Sequence, residues 1–584
     1  MNTRTALSLA LALALSSVAA WASEPPRVVA GERAQASKAA APLAWRDAAA
    51  SAPTTRLELG PMAPERIRDL ERSNEKLAGK RLQVGIERSV GEAVAPLPAL
   101  RWKAIDGGSV ARIEVRSPDA MALRVGLKLR GVGDRIELRF AGSDTPGKIE
   151  ALTTGAEARR LVDDRGLHWT PATDGDTQVI ELFAPAGVDF KAISVQVAHV
   201  SHLVTSMRSN FALTPKIGES DSCNVDTACR VNTLGQAFVD AKDSVSWLLF
   251  QDGGSYICTG TLLNDTDTST QIPYYFTADH CIGSQSVANT VSTVWNYEAT
   301  SCNSGVSTAT TQVSGGAQLL FSDYAGDSSD TGTDAALLRL NNAPPGFAFY
   351  AGWDANPIAA NADVLAIHHP SGDSKKSSLG RQKSQDTYLT EVGWLNGTTE
   401  GGSSGSGLFT GGSGGYFLRG GLYGGQASCA NSGNLSNTGN WDVYSRLDVV
   451  YDDVKQWLAP TTQSNGPSNG RDYTGAWYVP TESGWGLTIY QYAAPTYNQF
   501  VMFFIYDDTG KAQWFEMDGT WTGTDVRSGP VYASNAAPWG TTFNPANRSF
   551  TAAGNATITY TSATTATVQF TINGVTRSAS LQML

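Results

Sequence analysis

The chain has 584 residues, of which 17% are charged, 41% are hydrophobic and 59 are glycine, and its net charge is −11. That length exceeds one ordinary hydrophobic core, so several domains are expected. The acidic balance and the lack of basic patches interleaved with aromatics exclude a nucleic-acid binder, and no apolar run of about twenty residues follows the first twenty, which excludes a membrane-spanning helix.

The chain opens with a basic start (MNTR), an apolar stretch (ALSLALALALSSVA) and the small-x-small triplet Ala20-Trp21-Ala22. This is the pattern of a secretory signal peptide over residues 1–22, and it predicts export. Residues 23–55 are rich in Ala, Pro and Ser and are expected to be poorly ordered. Apolar residues at helical spacing predict a short helix over Ile67–Leu77. From about Arg81 to His202, runs such as ARIEVRS, RIELRFAG and TQVIELFAP alternate at period two between Gly, Asp and Pro turns, which predicts an antiparallel β domain. Residues 23–217 carry 28 basic against 24 acidic side chains, whereas residues 218–459 carry 10 against 24. Opposite net charges on adjacent segments predict that one docks on the other.

All six cysteines lie between Cys223 and Cys429. An even number confined to one block of an exported chain predicts three disulfides, and the absence of CxxC or HxxxH spacing argues against a metal site. This block, rich in short strands, ends in VVYDDVKQWL, an amphipathic helix candidate. A Pro/Ser/Asn/Gly linker follows over 460–472. The tail, 473–584, alternates aromatic and small residues and holds neither His nor Cys, which predicts a small β-rich domain without catalytic chemistry.

Three stretches carry chemistry: YFTADHCI (275–282), GTDAALLRL (332–340) and EGGSSGSGLF (400–409). Acyl transfer by serine needs a base beside the hydroxyl, a carboxylate orienting that base, and backbone N–H groups for the oxyanion. Taken singly, a His beside a Cys is usually structural, an Asp opening a strand is usually a turn residue, and a Gly/Ser run is usually a linker. Their order, His then Asp then Ser, is one of the few recurrent triad orders. At this level Ser403, Ser404 and Ser406 all remain candidate nucleophiles. Asp279 adjoins His280 but points away from it in an extended segment, and Asp323, Asp327 and Asp330 read as solvated loop acids.

With CTGTLLN (258–264), TADHC, TDAALLRL and GSSGSG, the chain resembles the chymotrypsin/trypsin superfamily. CNVDTAC (223–229), VWNYEATSC (294–302), YAGWD (350–354), AIHHP (366–370) and GGQASC (424–429) make it more closely similar to the bacterial lysyl endopeptidases, over about residues 217–459. The resemblance implies a mostly β fold: a two-barrel chymotrypsin-like protease domain over 217–459, preceded by a β-rich pro-region over 23–216. It implies Ser404 as nucleophile, His280 as base, Asp334 as orienting carboxylate, and Gly402 and Ser404 N–H groups as the oxyanion hole, with Ser403 and Ser406 as turn residues. It also implies the disulfides Cys223–Cys429, Cys229–Cys302 and Cys258–Cys281, no cofactor, and no metal at His368-His369.

Thr398, six residues before Ser404, is uncharged, so the resemblance places the pocket carboxylate at Asp442, in DVYSR. Tyr423, in GGLYGG, stands where the family carries a histidine, and it joins Asp442 as a specificity-pocket candidate. The implied substrates are polypeptides with lysine before the scissile bond, and the implied release point of the pro-region is Lys216–Ile217. The pro-region is then an intramolecular inhibitor and folding aid, and the protein is secreted and extracellular. Two alternatives stand beside this reading: cleavage after both Lys and Arg, and an inactive protease-like adhesin whose tail binds carbohydrate or a cell surface.

Overall fold

The structure, a computed structural model, describes residues 26–35, 43–48, 53–75, 80–93, 99–206, 219–267, 270–324, 331–460, 466–467, 471–482, 484–492, 497–507, 509–535 and 549–584. The signal-peptide segment 1–22, the Lys216–Ile217 bond, Asp327 and Asp330 lie outside the described residues, as does most of the 460–472 linker.

The first β body is a sandwich. One sheet runs Thr54–Glu58, Gly108–Arg116, Thr177–Pro185, Glu137–Gly142, Ala151–Thr154. The other contains Ala122–Arg130, Ser194–Leu203 and Leu82–Ser89. Strand periodicity explains the split: Ile180 and Leu182 enter the shared core with Ile113, Val125 and Phe140, while Glu181 turns to the other face and meets Arg112 at 2.9 Å.

Helix Pro64–Asn74 begins with Pro64 at its first turn, where the missing N–H has no partner to lose. Its last residue, Asn74, ties it to the strand: its Nδ2 donates to the Gln83 carbonyl (2.9 Å) and its Oδ1 accepts from the Gln83 N–H (2.8 Å); the expected end at Leu77 lies outside the described residues.

Two β-barrels follow. In the first, Val245–Gln251, Ser255–Leu263, Tyr274–Ala278 and Ala335–Leu340 surround Leu248, Leu262, Tyr275 and Trp295. In the second, Gly415–Gly425, Gly407–Gly412, Asp363–His368, Lys376–Gln385, Leu389–Asn396 and Asp442–Ser445 close on themselves through the Leu422–Tyr444 pairing. Helix Leu447–Leu458 covers the seam, burying Val450, Tyr451 and Val454 in a core that includes residues from both barrels. The architecture is therefore mostly β, a two-barrel chymotrypsin-like fold with added β bodies.

The sandwich and the first barrel share a sheet, because Leu82–Ser89 also pairs antiparallel with Ser255–Leu263. A second contact corrects the sequence expectation for residues 26–35 of the 23–55 segment. Val28–Val29 pairs with Gly352–Asp354, Glu32–Arg33 pairs with Phe349–Tyr350, and Arg33 bonds Asp240 and Asp243. Composition suggested disorder there, but Arg27 and Arg33 find partners on the acidic barrels: Arg27 donates to the Ala355 carbonyl at 2.9 Å.

The last body is a single antiparallel sheet closed by the Glu516–Tyr532 and Met517–Val531 pairings. Strand Thr565–Ile572 shows why it folds: Ala566, Val568, Phe570 and Ile572 point in while Thr567 and Gln569 point out. Trp477 and Trp521 belong to its core, and Trp514 is exposed.

Candidate active site

Strand Tyr274–Ala278 pairs with Ala335–Leu340, and this register sets His280 and Asp334 side by side just past the paired ends. Asp334 sits in the left-handed region (φ +60°), and its carbonyl accepts the Asp279 N–H at 2.9 Å. Its carboxylate accepts the His280 N–H (2.9 Å) and faces Nδ1 of the ring (2.8 Å). With Nδ1–H given to Asp334, Nε2 is left to accept from the Ser404 hydroxyl at 2.7 Å. Cys258–Cys281 ties the His280 turn to the neighbouring strand. The other disulfides are Cys223–Cys429 and Cys229–Cys302.

Asp279 does not reach the ring of His280; it accepts the Ser322 hydroxyl, and burial raises its carboxyl above the usual range. Asp323 departs from the sequence expectation. It is no solvated loop acid, because its Oδ2 accepts both the N–H (2.8 Å) and the hydroxyl (2.6 Å) of Thr333, and so fixes the residue before Asp334.

The turn at 401–406 needs its glycines. Gly402 has φ +90°, and a Cβ there would lie 2.8 Å from the His369 carbonyl oxygen. Gly405 has φ +75°, and a Cβ would meet the Thr277 hydroxyl at 2.1 Å. Ser403 accepts the Glu400 N–H (3.1 Å) and bonds His368 Nδ1 (2.9 Å), which holds the turn from behind; Ser406 is buried. His368 also bonds the Ser378 hydroxyl, and His369 stacks on Tyr297 with ring centroids 5.9 Å apart. Burial drives both imidazoles down, His369 to about 3, so both are neutral supports.

Asp442 is fully buried. Its Oδ2 accepts from the Thr399 hydroxyl (2.6 Å) and the Trp394 indole N–H (2.7 Å). Gly425 lines the approach: a Cβ there would lie 2.3 Å from the Asp442 carboxylate. Burial raises the Asp442 carboxyl above its ordinary value, against the opposing pull of a nearby ammonium and these two donors. Thr398 lies buried behind and gives only its carbonyl, to Ser378. The Tyr423 ring stands edge-on to His280, centroids 5.8 Å apart.

That ammonium is Lys80, from the sandwich domain. Its Nζ donates to Asp442 Oδ1 (2.7 Å), to the Thr399 hydroxyl (2.6 Å) and carbonyl (3.0 Å), and to the Ala427 carbonyl (3.3 Å). Its own carbonyl oxygen accepts the N–H groups of Gly402 (2.5 Å) and Ser404 (3.3 Å). Sequence reasoning missed Lys80, Thr399 and Trp394. The only local signal for Lys80 was the Gly-Lys-Arg at 79–81, immediately before the alternating run.

A hydroxyl donating to its base, an oriented base, and two N–H groups converging on one carbonyl oxygen are the parts acyl transfer requires. Residues 58–204 match the lysyl endopeptidase N-terminal domain, and residues 217–445 match the lysyl endopeptidase C-terminal domain. A lysyl endopeptidase from Pseudomonas aeruginosa is 35% identical over 405 residues, covering 65% of this chain and 82% of that protein. Among solved structures, the protease Anisep from Arthrobacter nicotinovorans is 18% identical, covers 37% of this chain and 95% of its own, and has a TM-score of 0.27. The thermostable serine protease AL20 from an extremophilic microorganism is 15% identical, covers 35% and 91%, and has a TM-score of 0.24.

Proposed function

This chain belongs to the lysyl endopeptidase family and is a serine endopeptidase, and from that premise we propose that it is secreted as a zymogen and hydrolyses the bond after lysine. Ser404 attacks the carbonyl carbon while His280 Nε2 takes its proton, and Asp334 holds the ring in the tautomer that makes this possible. The charge that develops on the carbonyl oxygen is received by the Gly402 and Ser404 N–H groups. These already point at one oxygen, so they need no reorganisation during the step. His280 then returns the proton to the departing amine, and water repeats the sequence on the acyl-enzyme.

The observation that carries lysine selectivity is the buried Asp442 carboxylate with a lysine ammonium on it. Around Nζ stand four acceptor atoms at 2.6–3.3 Å, a shell for a compact ammonium with three donors rather than for the planar fork of arginine. A neutral side chain would leave Asp442 buried without a counter-charge, which is the arrangement that discriminates most strongly. The test is kcat/KM of the processed enzyme on peptides that differ only in Lys, Arg or norleucine before the bond. Lysine is expected to exceed both, and equal rates for Lys and Arg would reject the narrow specificity.

A further inference from the structure

We propose that the Lys80–Arg81 peptide bond is a built-in pseudosubstrate: the N-terminal domain silences the protease by threading this bond through the active centre and holding it there largely uncut. The proposal rests on the lysine-pocket reading above, and deepens it by naming the group that fills the pocket before activation.

Both sides of the bond are held in the register of a substrate. On the acyl side, the Lys80 side chain fills the Asp442 pocket and its carbonyl oxygen sits on the Gly402 and Ser404 N–H groups. The side chain of Lys80 is only 10% exposed. On the amine side, Arg81 donates to the His280 carbonyl (3.2 Å) and to Asp252 (3.1 Å), and its guanidinium lies 4.4 Å from the centre of the Tyr256 ring. Beyond it, Leu82 pairs with Ile257, Gln83 with Tyr256, and Gly85 with Ser255.

The amine side is also anchored from behind. Asn74 bonds Gln83 in both directions, and Ser201–Leu203 pairs with Gly85–Glu87, so the strand is interior to a sheet and not a loose end. Leu82 is buried with Trp247, Leu249 and Ile257.

That anchoring explains why the bond persists. Attack by Ser404 Oγ on the Lys80 carbonyl carbon would break the bond to the Arg81 nitrogen, with the Ser404 proton passing through His280 to the new amine. In an ordinary substrate the amine leaves and water replaces it. Here the Arg81 amine stays beside the ester, held by the strand pairing, at the high effective concentration of an intramolecular nucleophile. It attacks the ester, returns its proton through His280, and restores the peptide bond and the free serine. Net hydrolysis waits until Leu82–Ser89 is pulled from Ser255–Leu263.

The experiment uses the full chain and an uncharged fluorophosphonate that labels the active serine without needing a lysine side chain. It compares wild type, Lys80→Ser, and Lys128→Ser as an exposed control on the same domain. Lys80→Ser is expected to label at least tenfold faster than wild type, and Lys128→Ser at the wild-type rate. Equal labelling of all three, fast or slow, overturns the proposal.

A second measurement needs no change at Lys80. In the full-length Ser404→Ala chain, reductive methylation of Lys80 is expected to be at least tenfold slower than that of the exposed Lys128 and Lys191. Equal rates would empty the pocket of Lys80 and overturn the proposal whether or not the Lys80 variant folds. Intact mass of the wild-type zymogen should show the Lys80–Arg81 bond mostly whole, and rapid complete cutting there would contradict its retention. Failure of lysine selectivity alone would appear in the peptide kinetics of the processed enzyme and leave the occlusion result standing.

Discussion

Two buried carboxylates of the barrel domain, Asp442 and Glu298, each hold lysine ammonium groups, yet they do opposite things. Glu298 pairs with Lys242 (2.9 Å) and Lys375 (3.3 Å), both from its own domain, and although burial pushes its carboxyl up, the two lysines hold it below the ordinary value. Asp442 has one ammonium, from the other domain, and burial keeps its carboxyl above the ordinary value despite Lys80, Thr399 and Trp394. A carboxylate with its own counter-ions is a finished structural joint. One whose counter-ion arrives on a separate segment is, on the proposed reading, a receptor, and removing that segment would leave it needing another lysine.

Amide substitutions separate the two roles. Asp442→Asn in the processed enzyme leaves a substrate ammonium buried without its charge partner, a loss of about 3–5 kcal/mol or roughly two to three and a half orders of magnitude in kcat/KM on lysyl peptides. Steady-state kinetics checks this, and fluorophosphonate labelling of the same variant should change little. Glu298→Gln should leave the Lys-to-Arg ratio untouched but destabilise the fold by about 3 kcal/mol, lowering Tm by roughly 6–12 °C in a thermal melt.

Acid sharpens the contrast further. As pH falls through the raised value of Asp442, the carboxylate is lost while a lysine ammonium stays charged. Affinity for n-butylammonium should therefore decline above the ordinary carboxylate range, and be flat there in Asp442→Asn. Glu298 behaves the other way: its depressed value means its stabilisation is present above the ordinary range and is lost only below it. Titrating ligand affinity and unfolding free energy on the same preparation checks both signs. The smallest effect expected is Thr399→Val, which removes a hydroxyl that donates to Asp442 and accepts from the ammonium. It should raise KM for lysyl peptides roughly tenfold to a hundredfold, since hydrogen bonds to charged groups are worth about 1.5–3 kcal/mol.

How much of this was legible in the sequence depended on distance along the chain. Period-two runs such as ATVQFTI and TQVIELFAP announced their strands because alternation is a local property. The stretches around His280, Asp334 and Ser404 were legible as chemistry because each carries its own turn residues, and the resemblance chose among the serines. Lys80 was not legible. Its partner Asp442 is 362 residues away, and nothing near a Gly-Lys-Arg distinguishes a pocket plug from a surface loop. Residues 26–35 were misread with the rest of 23–55, whose Ala, Pro and Ser read as disorder, whereas Arg27 and Arg33 dock them on barrels whose acidity was visible only as a domain sum. Asp323 misled for a similar reason, since its Ser/Gly-rich surroundings hid the Thr333 bonds that make it structural.

The most direct measurement is a cleavage-site profile of the processed enzyme on a denatured protein mixture, read by mass spectrometry beside a Ser404→Ala preparation. Cuts after lysine alone, absent with Ser404→Ala, are the expected result. Cuts spread over lysine and arginine, or cuts that survive the loss of Ser404, would contradict the assignment of Asp442 as a lysine receptor or of Ser404 as the nucleophile.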